Sequence, residues 1–493
     1  MSSHALTIRN ASALSLALDR FERFEALSST PTSSSYIRTW IPQLTNKSES
    51  TATPLSIHTP DQLNTASSTF HVEDVSLEIP PFRTVITTIS TSTAQSPNTR
   101  AIVNPNLRLT FTIAGQRYRL DISSTEDRSS LLTPLSANSS IDITAIYLPT
   151  SSFLALLQFT ALERWMSGLP DSLSLSLLSI PGTHNSPAHH RAMPSVRCQA
   201  VSVRKQLYNG IRFLDIRLQP ASATNLEDES LYLVHGAFSV TLLGYYHFRG
   251  LMDRVYAFLD QTPSEAILIS LKREGIGKAS DDHLAHILKR HYIDKDPTKW
   301  FTESRIPKLG EVRGKLVLLR RFNYDHKFAT EHAPNGWGID ATSWADNSPF
   351  SLNPTGQLCI QDFYEVLASV NIEEKIAYVE RHLARAAAAS SCKPESNSSC
   401  LYINFASASN FWKTECWPER IAAKLNPAIL EYLCREHMNA IHSKSQAQDQ
   451  SVSMGSTGLV VCDWLGNNGN WDLVKMILAM NEAQRTIHAG TAP

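Results

Sequence analysis

Residues 211–216 read IRFLDI and residues 266–271 read AILISL, and both are short, nearly continuous apolar runs. Such runs between polar loops are typical of strands buried on both faces of a parallel sheet. Eight of them follow residue 170: LSLLSI (175–180), IRFLDI (211–216), LYLVHG (231–236), AILISL (266–271), KLVLLR (315–320), LCIQDF (358–363), LYINFA (401–406) and GLVVCDW (458–464). Helical or irregular segments separate them, and the second connection is too short for a helix. The pattern predicts an irregular α/β barrel, the (β/α)8 TIM barrel, over residues 166–493.

The first third of the chain has a different texture, rich in Ser and Thr. Its clearest alternating apolar runs are 84–90, 107–113, 117–122 and 141–148. Alternation with many β-branched residues predicts half-buried antiparallel strands, and Ala114–Gln116 lies where a hairpin turn is needed. We therefore expect residues 1–165 to form an all-β, sandwich-like domain, for which the sequence indicates neither a role nor a partner.

The composition of the chain limits its partners. Its 493 residues carry 45 Lys and Arg against 46 Asp and Glu, a net charge of -1. Nucleic-acid binders usually carry a basic excess or stripe, so we expect no nucleic-acid partner. The seven cysteines show no CxxC pair and no metal-type spacing with histidine. The cysteines thus indicate no zinc-type site, and we expect no metal and no other cofactor.

Targeting signals are not evident in the sequence. The N-terminal residues, MSSHALTIRNASALSLALDRF, lack a basic start followed by a clean apolar core, so they do not resemble a signal peptide. No apolar run approaches the length that spans a bilayer, and we expect no transmembrane segment. The expected location is cytoplasmic or peripheral at a membrane, and secretion by another route stays open.

Polar and ionisable residues follow the ends of the apolar runs. They are His184, Asn185, Asp215, Arg217, His235, Lys272, Arg320, Arg321, Asp362, Tyr364 and Asp463. In a TIM barrel the carboxyl ends of the strands meet at one face, where the active site forms. Because buried charges are costly unless they are paired, a set of this size indicates a shared pocket.

Two histidines with several cations and carboxylates suit the cleavage of a phosphodiester. One imidazole, oriented by a carboxylate, removes a proton from the attacking hydroxyl, and the other protonates the leaving oxygen. An arginine stabilises the negative charge that develops on the phosphate, so the reaction needs no metal ion.

The motifs at the strand ends resemble those of the phosphatidylinositol-specific phospholipase C X-domain family, especially its bacterial type. The string SIPGTHNS (179–186) is similar to the first motif of the family. Seven more strings follow in the order of the family: GIRFLDIRL (210–218), LVHG (233–236), ISLKRE (269–274), RGKLVLLRRF (313–322), IQDFY (360–364), LYINFAS (401–407) and VVCDW (460–464). The resemblance covers roughly residues 170–485, and it implies a barrel of the PLC-like phosphodiesterase type.

This resemblance implies catalytic roles for five residues. His184 is expected to act as general base on the inositol 2-hydroxyl, with Asp463 holding its imidazole. His235 is expected to be the general acid for the diacylglycerol oxygen. Arg217 should contact the phosphate, and Asp215 should fix Arg217. The implied products are diacylglycerol and inositol 1,2-cyclic phosphate, made from phosphatidylinositol or its glycosylated forms.

The family pattern also implies a substrate-binding set. Lys272, Arg321 and Asp362 are expected to bind inositol hydroxyls, and Tyr364 is expected to stack on the ring. Asn185 belongs to this set but departs from the bacterial pattern, which has Asp there. Because an amide lacks the negative charge, we expect His235 to be less often protonated and the activity to be reduced or altered.

The same position raises the question of calcium. Eukaryotic members carry Asn at the position of Asn185, where it helps to bind calcium. They also place carboxylates where this chain has Arg217 and Lys272, and two cations there would repel the ion. We therefore expect activity without a metal.

Aromatic residues after the seventh run suggest a membrane contact. Phe411, Trp412 and Trp417 lie on the active-site side of the predicted barrel and could enter a bilayer surface, or they could cap the barrel. The segment 237–248 is a second candidate for this contact. The expected partner is a phospholipid substrate at a membrane surface.

Two other functions compete with this interpretation. One is a metal-dependent, glycerophosphodiester phosphodiesterase-like enzyme, which a chelator would inactivate. The other is a non-catalytic module that binds inositol lipids, for which Asn185 is the main support. Binding without turnover would identify that module.

Overall fold

The computed structural model describes residues 5–26, 67–91, 94–95, 102–103, 106–122, 129–136, 141–158, 161–390, 400–437 and 455–489. Its N-terminal strands are β1 (Ala5–Asn10), β2 (Leu16–Ala26), β3 (Ser67–Ile79), β4 (Thr84–Ser90), β5 (Ala94–Gln95), β6 (Ile102–Val103), β7 (Asn106–Ile113), β8 (Gln116–Ile122), β9 (Ser130–Leu131), β10 (Thr133–Pro134), β11 (Ile143–Leu148) and β12 (Phe153–Gln158). They form two five-stranded sheets, in the orders β4-β1-β12-β11-β9 and β10-β8-β7-β2-β3. Strands β5 and β6 pair only with each other.

The predicted hairpin between β7 and β8 is confirmed. Ile113 pairs with Gln116, so Ala114 and Gly115 form a two-residue loop. Their φ angles are 48° and 76°, the left-handed values that a tight hairpin requires at both positions. The predicted runs 84–90, 107–113, 117–122 and 141–148 all coincide with strands to within two residues.

The second part of the chain builds one large sheet. Its strands are β13 (Ile180–Thr183), β14 (Phe213–Pro220), β15 (Leu231–His235), β16 (Phe238–Ser239), β17 (Ile267–Arg273), β18 (Trp300–Phe301), β19 (Leu316–Arg321), β20 (Ile339–Asp340), β21 (Ser351–Leu352), β22 (Leu358–Gln361), β23 (Leu401–Ala406) and β24 (Leu459–Cys462). The order is β18-β19-β17-β14-β13-β24-β23-β22-β21, and the seven strands from β19 to β22 run parallel. The result is a curled, mixed α/β sheet, whose described strands do not close into a hydrogen-bonded ring.

Two of the eight predicted barrel strands are wrong in detail. The run at 231–236 is β15, which pairs antiparallel with the end of β14 and continues into β16, so it is a hairpin outside the parallel sheet. Its continuous apolar sequence arises because Leu231, Leu233 and Val234 are buried there too. The run at 175–180 begins with a 3-10 turn at Leu175–Leu177, and the strand starts only at Ile180.

Helices connect the parallel strands and cover the sheet. They are α1 (Val203–Tyr208), α2 (Phe248–Gln261), α3 (Asp281–Leu288), α4 (Leu309–Val312), α5 (His326–Glu331), α6 (Asn371–Ser390), α7 (Pro418–Arg435), α8 (Asp472–Ala479) and α9 (Glu482–Ala489). Helix α7 buries Ile421, Leu425, Ile429 and Leu433, one residue per turn, as an amphipathic helix on a sheet must. In the described parts of the chain, no helix has the length and apolar character to span a membrane.

Strand β12 joins the two parts of the molecule. Phe153, Ala155 and Leu157 belong to the core of the large sheet, whereas Leu154 and Leu156 belong to the core between the N-terminal sheets. The two-residue period of a strand therefore sends alternate side chains into two cores. In β1, the buried guanidinium of Arg9 donates to the carbonyls of Leu433 and Cys434 at 2.6 and 2.7 Å, which ties this sheet to α7.

Candidate active site

The parallel strands place the predicted residues at one edge. Arg217 of β14 lies opposite Lys272 of β17, which lies opposite Arg321 of β19. Three cations therefore stand side by side on neighbouring strands. His184 and Asp463 follow β13 and β24, which are also neighbours.

The glycine of the first motif permits this arrangement. A Cβ atom on Gly182 would lie 2.8 Å from the Cβ atom of Phe213 on the adjacent strand. Any larger residue would separate β13 from β14. Because His184 and Arg217 are carried by these two strands, that separation would move one of them away from the other.

His184 is fixed through both ring nitrogens. Its Nδ1 atom lies 2.9 Å from Oδ1 of Asp463, and its Nε2 atom lies 2.9 Å from Nη2 of Arg217. Because a guanidinium only donates, Nε2 must accept, and the proton of the neutral ring resides on Nδ1. Burial raises the pKa of Asp463, and His184 opposes that rise. Nε2 of His184 is therefore the nitrogen that can receive a proton.

His235 faces His184 from the β15 hairpin. The two ring centroids are 5.5 Å apart, with the planes at 82°. Nδ1 of His235 donates to the carbonyl of Val196 at 3.2 Å, and the Cys198 thiol lies 3.6 Å from the same nitrogen. Burial, reinforced by Arg217 and His184, lowers the pKa of His235 to about 3. This imidazole is therefore neutral, with the lone pair on Nε2.

Arg217 lies at the centre of a charged network. Its Nη1 atom donates to Glu274 at 3.1 Å, and its Nη2 atom lies 3.4 Å from Asp215. Glu274 also accepts from Lys272 at 2.8 Å and from the backbone N–H of Gly236 at 2.8 Å. Burial raises the pKa of Glu274, but Arg217 and Lys272 outweigh it and hold that pKa well below its usual range. Burial acts in the same direction on Asp215, where Arg217 and Arg321 reverse the effect.

Arg321, and not Arg320, points into the site. Arg321 lies 3.5 Å from Asp215, and its guanidinium lies 3.9 Å from the centre of the Trp344 ring. Arg320 instead donates to the carbonyls of Trp337 and Phe322 and pairs with Asp340. Strand alternation sends the two adjacent side chains to opposite sides.

Asp362 and Tyr364 occupy the end of β22. Burial raises the pKa of Asp362, against the opposing effects of Arg321 and Lys375. Tyr364 is partly exposed at the rim and donates to Asp346 at 3.0 Å. Burial and Asp346 raise the pKa of Tyr364 to about 12, so the phenol stays protonated.

Asn185 is completely buried beside the imidazoles. Its backbone N–H donates to Asp215 at 3.0 Å, with a left-handed φ of 41°. Its amide makes a weak contact with the Cys198 thiol, and its Oδ1 and Nδ2 atoms otherwise lack hydrogen-bond partners. The Asn185 side chain therefore contacts Cys198, whose thiol in turn lies 3.6 Å from Nδ1 of His235.

The three aromatic residues proposed for membrane contact differ in exposure. Trp412 is 87% exposed, whereas Phe411 is partly buried and stacks on Phe238 of β16 with centroids 6.1 Å apart. Trp417 is partly buried and donates to the carbonyl of Phe411 at 3.2 Å, immediately before α7. Trp417 thus stabilises its own loop, and Trp412 projects into solvent.

Groups with metal-ligand chemistry occur twice in the described residues. The ligand atoms of His184, Cys198 and His235 lie within 4.8 Å of one another, as do those of the more exposed trio Asp282, His286 and Asp325. In the first trio, however, both nitrogens of His184 already have partners, and burial raises the pKa of the Cys198 thiol well above its usual value. This arrangement suits proton transfer better than it suits metal binding.

Three residues of the site did not emerge from the sequence. Glu274 follows Lys272 by two positions, so strand alternation was a usable signal for it. Trp344 lies in an irregular loop, and only its contact with Arg321 reveals it. Lys375 lies on α6, and its side chain extends to the strand ends that carry the site. No spacing in the sequence indicates this contact.

The sequence of this chain is similar to those of known proteins. Residues 172–322 match the sequence profile described as phosphatidylinositol-specific phospholipase C, X domain. A 1-phosphatidylinositol phosphodiesterase of Listeria monocytogenes is 32% identical over 167 residues, which cover 32% of this chain and 48% of that protein. The enzyme of the same name from Staphylococcus aureus is 27% identical over 336 residues, which cover 65% of this chain and 94% of that protein.

A solved structure shows the same fold. The Staphylococcus aureus phosphatidylinositol-specific phospholipase C has a TM-score of 0.50 and 24% identity to this chain, and the match covers 65% of this chain and 97% of that one. The likeness extends well beyond the segment that the profile matches. Residues 172–322 therefore match the X domain of the phosphatidylinositol-specific phospholipase C family, and the chain is similar to bacterial 1-phosphatidylinositol phosphodiesterases over about 65% of its length.

Proposed function

We propose that this chain is a phosphatidylinositol-specific phospholipase C that uses His184 and His235 as an acid–base pair. The supporting observation is the placement of the two imidazoles, 5.5 Å apart, with Asp463 on one side of His184 and Arg217 on the other. Nε2 of His184 removes the proton of the inositol 2-hydroxyl, and that oxygen forms a bond to phosphorus. The bond from phosphorus to the diacylglycerol oxygen breaks, and His235 protonates that oxygen. The products are diacylglycerol and inositol 1,2-cyclic phosphate.

Arg217 supplies the positive charge for the phosphate. Its Nε atom is buried and has no hydrogen-bond partner among the residues that the structure describes, so the side chain retains a donor for a ligand. Asp215 and Glu274 hold the guanidinium in place, with its Nη2 atom directed at His184. A fixed guanidinium can stabilise the charge that develops on the phosphate oxygens without rearranging.

The substrate itself completes the protonation of His235. A neutral imidazole cannot act as an acid, and in the empty site the pKa of His235 is only about 3. A bound phosphodiester carries a negative charge, which favours the imidazolium and offsets the repulsion from Arg217. Catalysis therefore starts only when the phosphate lies between the two rings.

The remaining polar residues define the inositol pocket. Lys272, Arg321 and Asp362 bind ring hydroxyls, together with Glu274, and Tyr364 packs against the ring from the rim. Each charged group of this set has an oppositely charged neighbour in the empty site. An inositol ring, which is neutral and carries many hydroxyls, can exchange hydrogen bonds with such groups without leaving a charge unpaired.

The exposed apolar rim brings the pocket to a membrane. Trp412 and Leu243 are 87% and 88% exposed, and Phe238, Tyr245 and Tyr246 are also exposed on the 237–248 segment. The stacking of Phe238 on Phe411 joins this segment to the loop of Trp412. These residues form one surface that contacts lipid, so the protein attaches peripherally.

The N-terminal strands form a β-rich domain of residues 1–165 that packs beside the catalytic part, residues 166–493. The shared core through β12 and the bonds of Arg9 to α7 support a role in stabilising the catalytic part. Contacts of β12 with α7 and α8 support the same role.

Product analysis on labelled phosphatidylinositol tests this function. Wild-type protein should release inositol 1,2-cyclic phosphate with a chelator present, and His184→Ala should release none. Loss of activity with the chelator would identify a metal-dependent phosphodiesterase instead. Binding of phosphatidylinositol vesicles without product would identify a binding module.

A companion variant tests the role of position 185. Asn185→Asp restores a negative charge beside His235, so the imidazolium is favoured and turnover should rise or the pH optimum should move upward. An unchanged pH profile would contradict the role that we assign to Asn185.

A further inference from the structure

A buried lysine lies beneath the site. Lys375 of α6 is completely buried. Its Nζ atom donates to Oε1 of Gln361 at 3.1 Å and to the carbonyls of Phe363 and Phe405. These bonds use all three ammonium protons, and every acceptor is neutral. A buried charge with only neutral partners is costly, so its persistence calls for a reason.

The nearest charges explain why an ammonium is tolerated. Burial lowers the pKa of Lys375 to about 7, and Asp362 and Asp463 act in the opposite direction. The effect is reciprocal, because Lys375 also opposes the rise that burial causes in the pKa of both carboxylates. Lys375 is therefore a countercharge for the two acids on which His184 and the inositol pocket depend.

The charges of the site balance only when Lys375 is counted. Its four carboxylates are Asp215, Glu274, Asp362 and Asp463, and its cations at the strand ends are Arg217, Lys272 and Arg321. Each of these three cations forms its ion pairs with Asp215 or with Glu274. Asp362 and Asp463 lack a direct ion pair with Lys or Arg in the described residues, so Lys375 is the fourth cation.

The same ammonium fixes the backbone under His184. Gln361 donates to Asn404 and to the carbonyl of Phe405 at 2.8 and 3.0 Å, so Lys375 closes a polar network across the ends of β22 and β23. The ring of Phe405 contacts the His184 ring edge-on, with centroids 6.4 Å apart. A shift of the Phe405 carbonyl would therefore reach the imidazole directly.

We propose that Lys375 is a positioning residue whose buried ammonium keeps Asp463 and Asp362 ionised and holds the ends of β22 and β23 beneath His184. This inference rests on the proposed phosphodiester cleavage. Without Lys375, Asp463 takes up a proton at a higher pH and no longer orients His184. The loss of activity is then greatest at acidic pH.

The pH dependence of kcat/KM tests the proposal. Lys375→Met keeps the length of the side chain and removes its charge. The acidic limb of the profile, where kcat/KM for phosphatidylinositol cleavage falls as the pH is lowered, should therefore move to higher pH by about half a unit or more. Activity at the wild-type acidic midpoint should fall about two-fold or more, which is the same shift expressed as a rate. Lys375→Arg keeps the charge and should leave the limb in place. An acidic limb of Lys375→Met at the wild-type pH would overturn the proposal.

Arg9→Met is the matched control, because Arg9 is also a buried cation bound to neutral carbonyls, far from the mouth of the pocket. It should lower stability without moving the acidic limb. If Lys375→Met does not fold, Lys375→Gln carries the test, since its amide can still donate two of the hydrogen bonds.

NMR titration of the His184 imidazole gives a readout that needs no turnover. The imidazole should respond to the ionisation of Asp463 at a higher pH in the variant than in the wild type. This result would stand even if the wild type failed to cleave phosphatidylinositol, and identical titrations would refute the role of Lys375.

Discussion

The two ends of the parallel sheet carry arginines in contrasting surroundings. At the amino end, Arg212 and Glu265 are fully buried, and Arg212 donates to Glu265, to Leu207 and to two further carbonyls. At the carboxyl end, Arg217 keeps its Nε atom without a partner, and Oδ2 of Asp463 is likewise unpaired. A satisfied network stabilises the fold, whereas an incomplete one is available to a ligand. At these two positions, we assign the satisfied arginine to the fold and the arginine with a free donor to the site.

Substitution of Arg217 or Arg212 should have the largest effects, the first on activity and the second on stability. Arg217→Gln removes the charge that faces the phosphate, and kcat/KM of the folded protein should fall by about 10²–10³-fold. Steady-state cleavage below the midpoint of urea denaturation measures this effect. A loss of activity below about five-fold would contradict the role of Arg217.

Arg212→Leu should give the opposite outcome. It leaves Glu265 buried without a partner, which costs about 3–5 kcal/mol of stability. The folded protein should nevertheless keep kcat/KM close to that of the wild type, measured below the midpoint of denaturation. A large loss of activity in folded Arg212→Leu would show that the two ends are not independent.

Glu274 offers a second test at the carboxyl end of the sheet. Glu274→Gln removes the carboxylate that Arg217, Lys272 and the backbone of Gly236 share. Both cations then lose their main anchor, and we expect kcat/KM to fall about ten-fold or more, largely through a higher KM for substrates with an inositol ring. A variant with wild-type KM would place Glu274 outside the inositol pocket.

Acidic pH should destabilise the protein through its buried histidines. Burial lowers the pKa of His382 to about 3, below its unfolded value near 6.5, so between these values the unfolded chain binds more protons. Stability from His382 is complete above pH 6.5 and is lost as the pH falls. His382→Gln should reduce the loss between pH 7 and pH 4 by about 2–3 kcal/mol. An equal loss in both proteins, measured by urea denaturation, would refute this.

The smallest expected effect concerns the membrane surface. Trp412→Ala should weaken binding to phosphatidylinositol vesicles by about three- to ten-fold, because an exposed indole loses its insertion into the bilayer. Cleavage of a water-soluble substrate should be unchanged. Ile86→Ala is the control, since Ile86 is equally apolar and exposed but lies on the N-terminal sheets. If both variants bound the vesicles equally weakly, the exposed apolar rim would not be the membrane contact.

Periodicity predicts much of the fold because burial on two faces leaves continuous apolar runs. Six of the eight runs are parallel strands of the large sheet at nearly the predicted positions. The prediction of a parallel strand at 231–236 was wrong because a buried hairpin shows the same apolar pattern as a buried parallel strand. No period distinguishes the two, since only the partner strand differs.

The candidate site was predictable where residues follow strand ends. His184, Arg217, His235 and Asp463 converge, as their positions after the runs indicate. Trp344 and Lys375 were not predictable, because a loop and a helix deliver them to the site. Their contacts depend on tertiary packing that the sequence pattern does not encode.

A substrate with an easily expelled leaving group tests the central claim most directly. In an inositol phosphodiester of 4-nitrophenol the leaving oxygen needs no proton, so His235→Ala should lose at least about ten-fold less activity on it than on phosphatidylinositol. His184→Ala should lose equally on both substrates, because the attacking hydroxyl is the same. Equal losses of His235→Ala on both substrates would contradict the assignment of His235 as the acid that faces His184 across the phosphate.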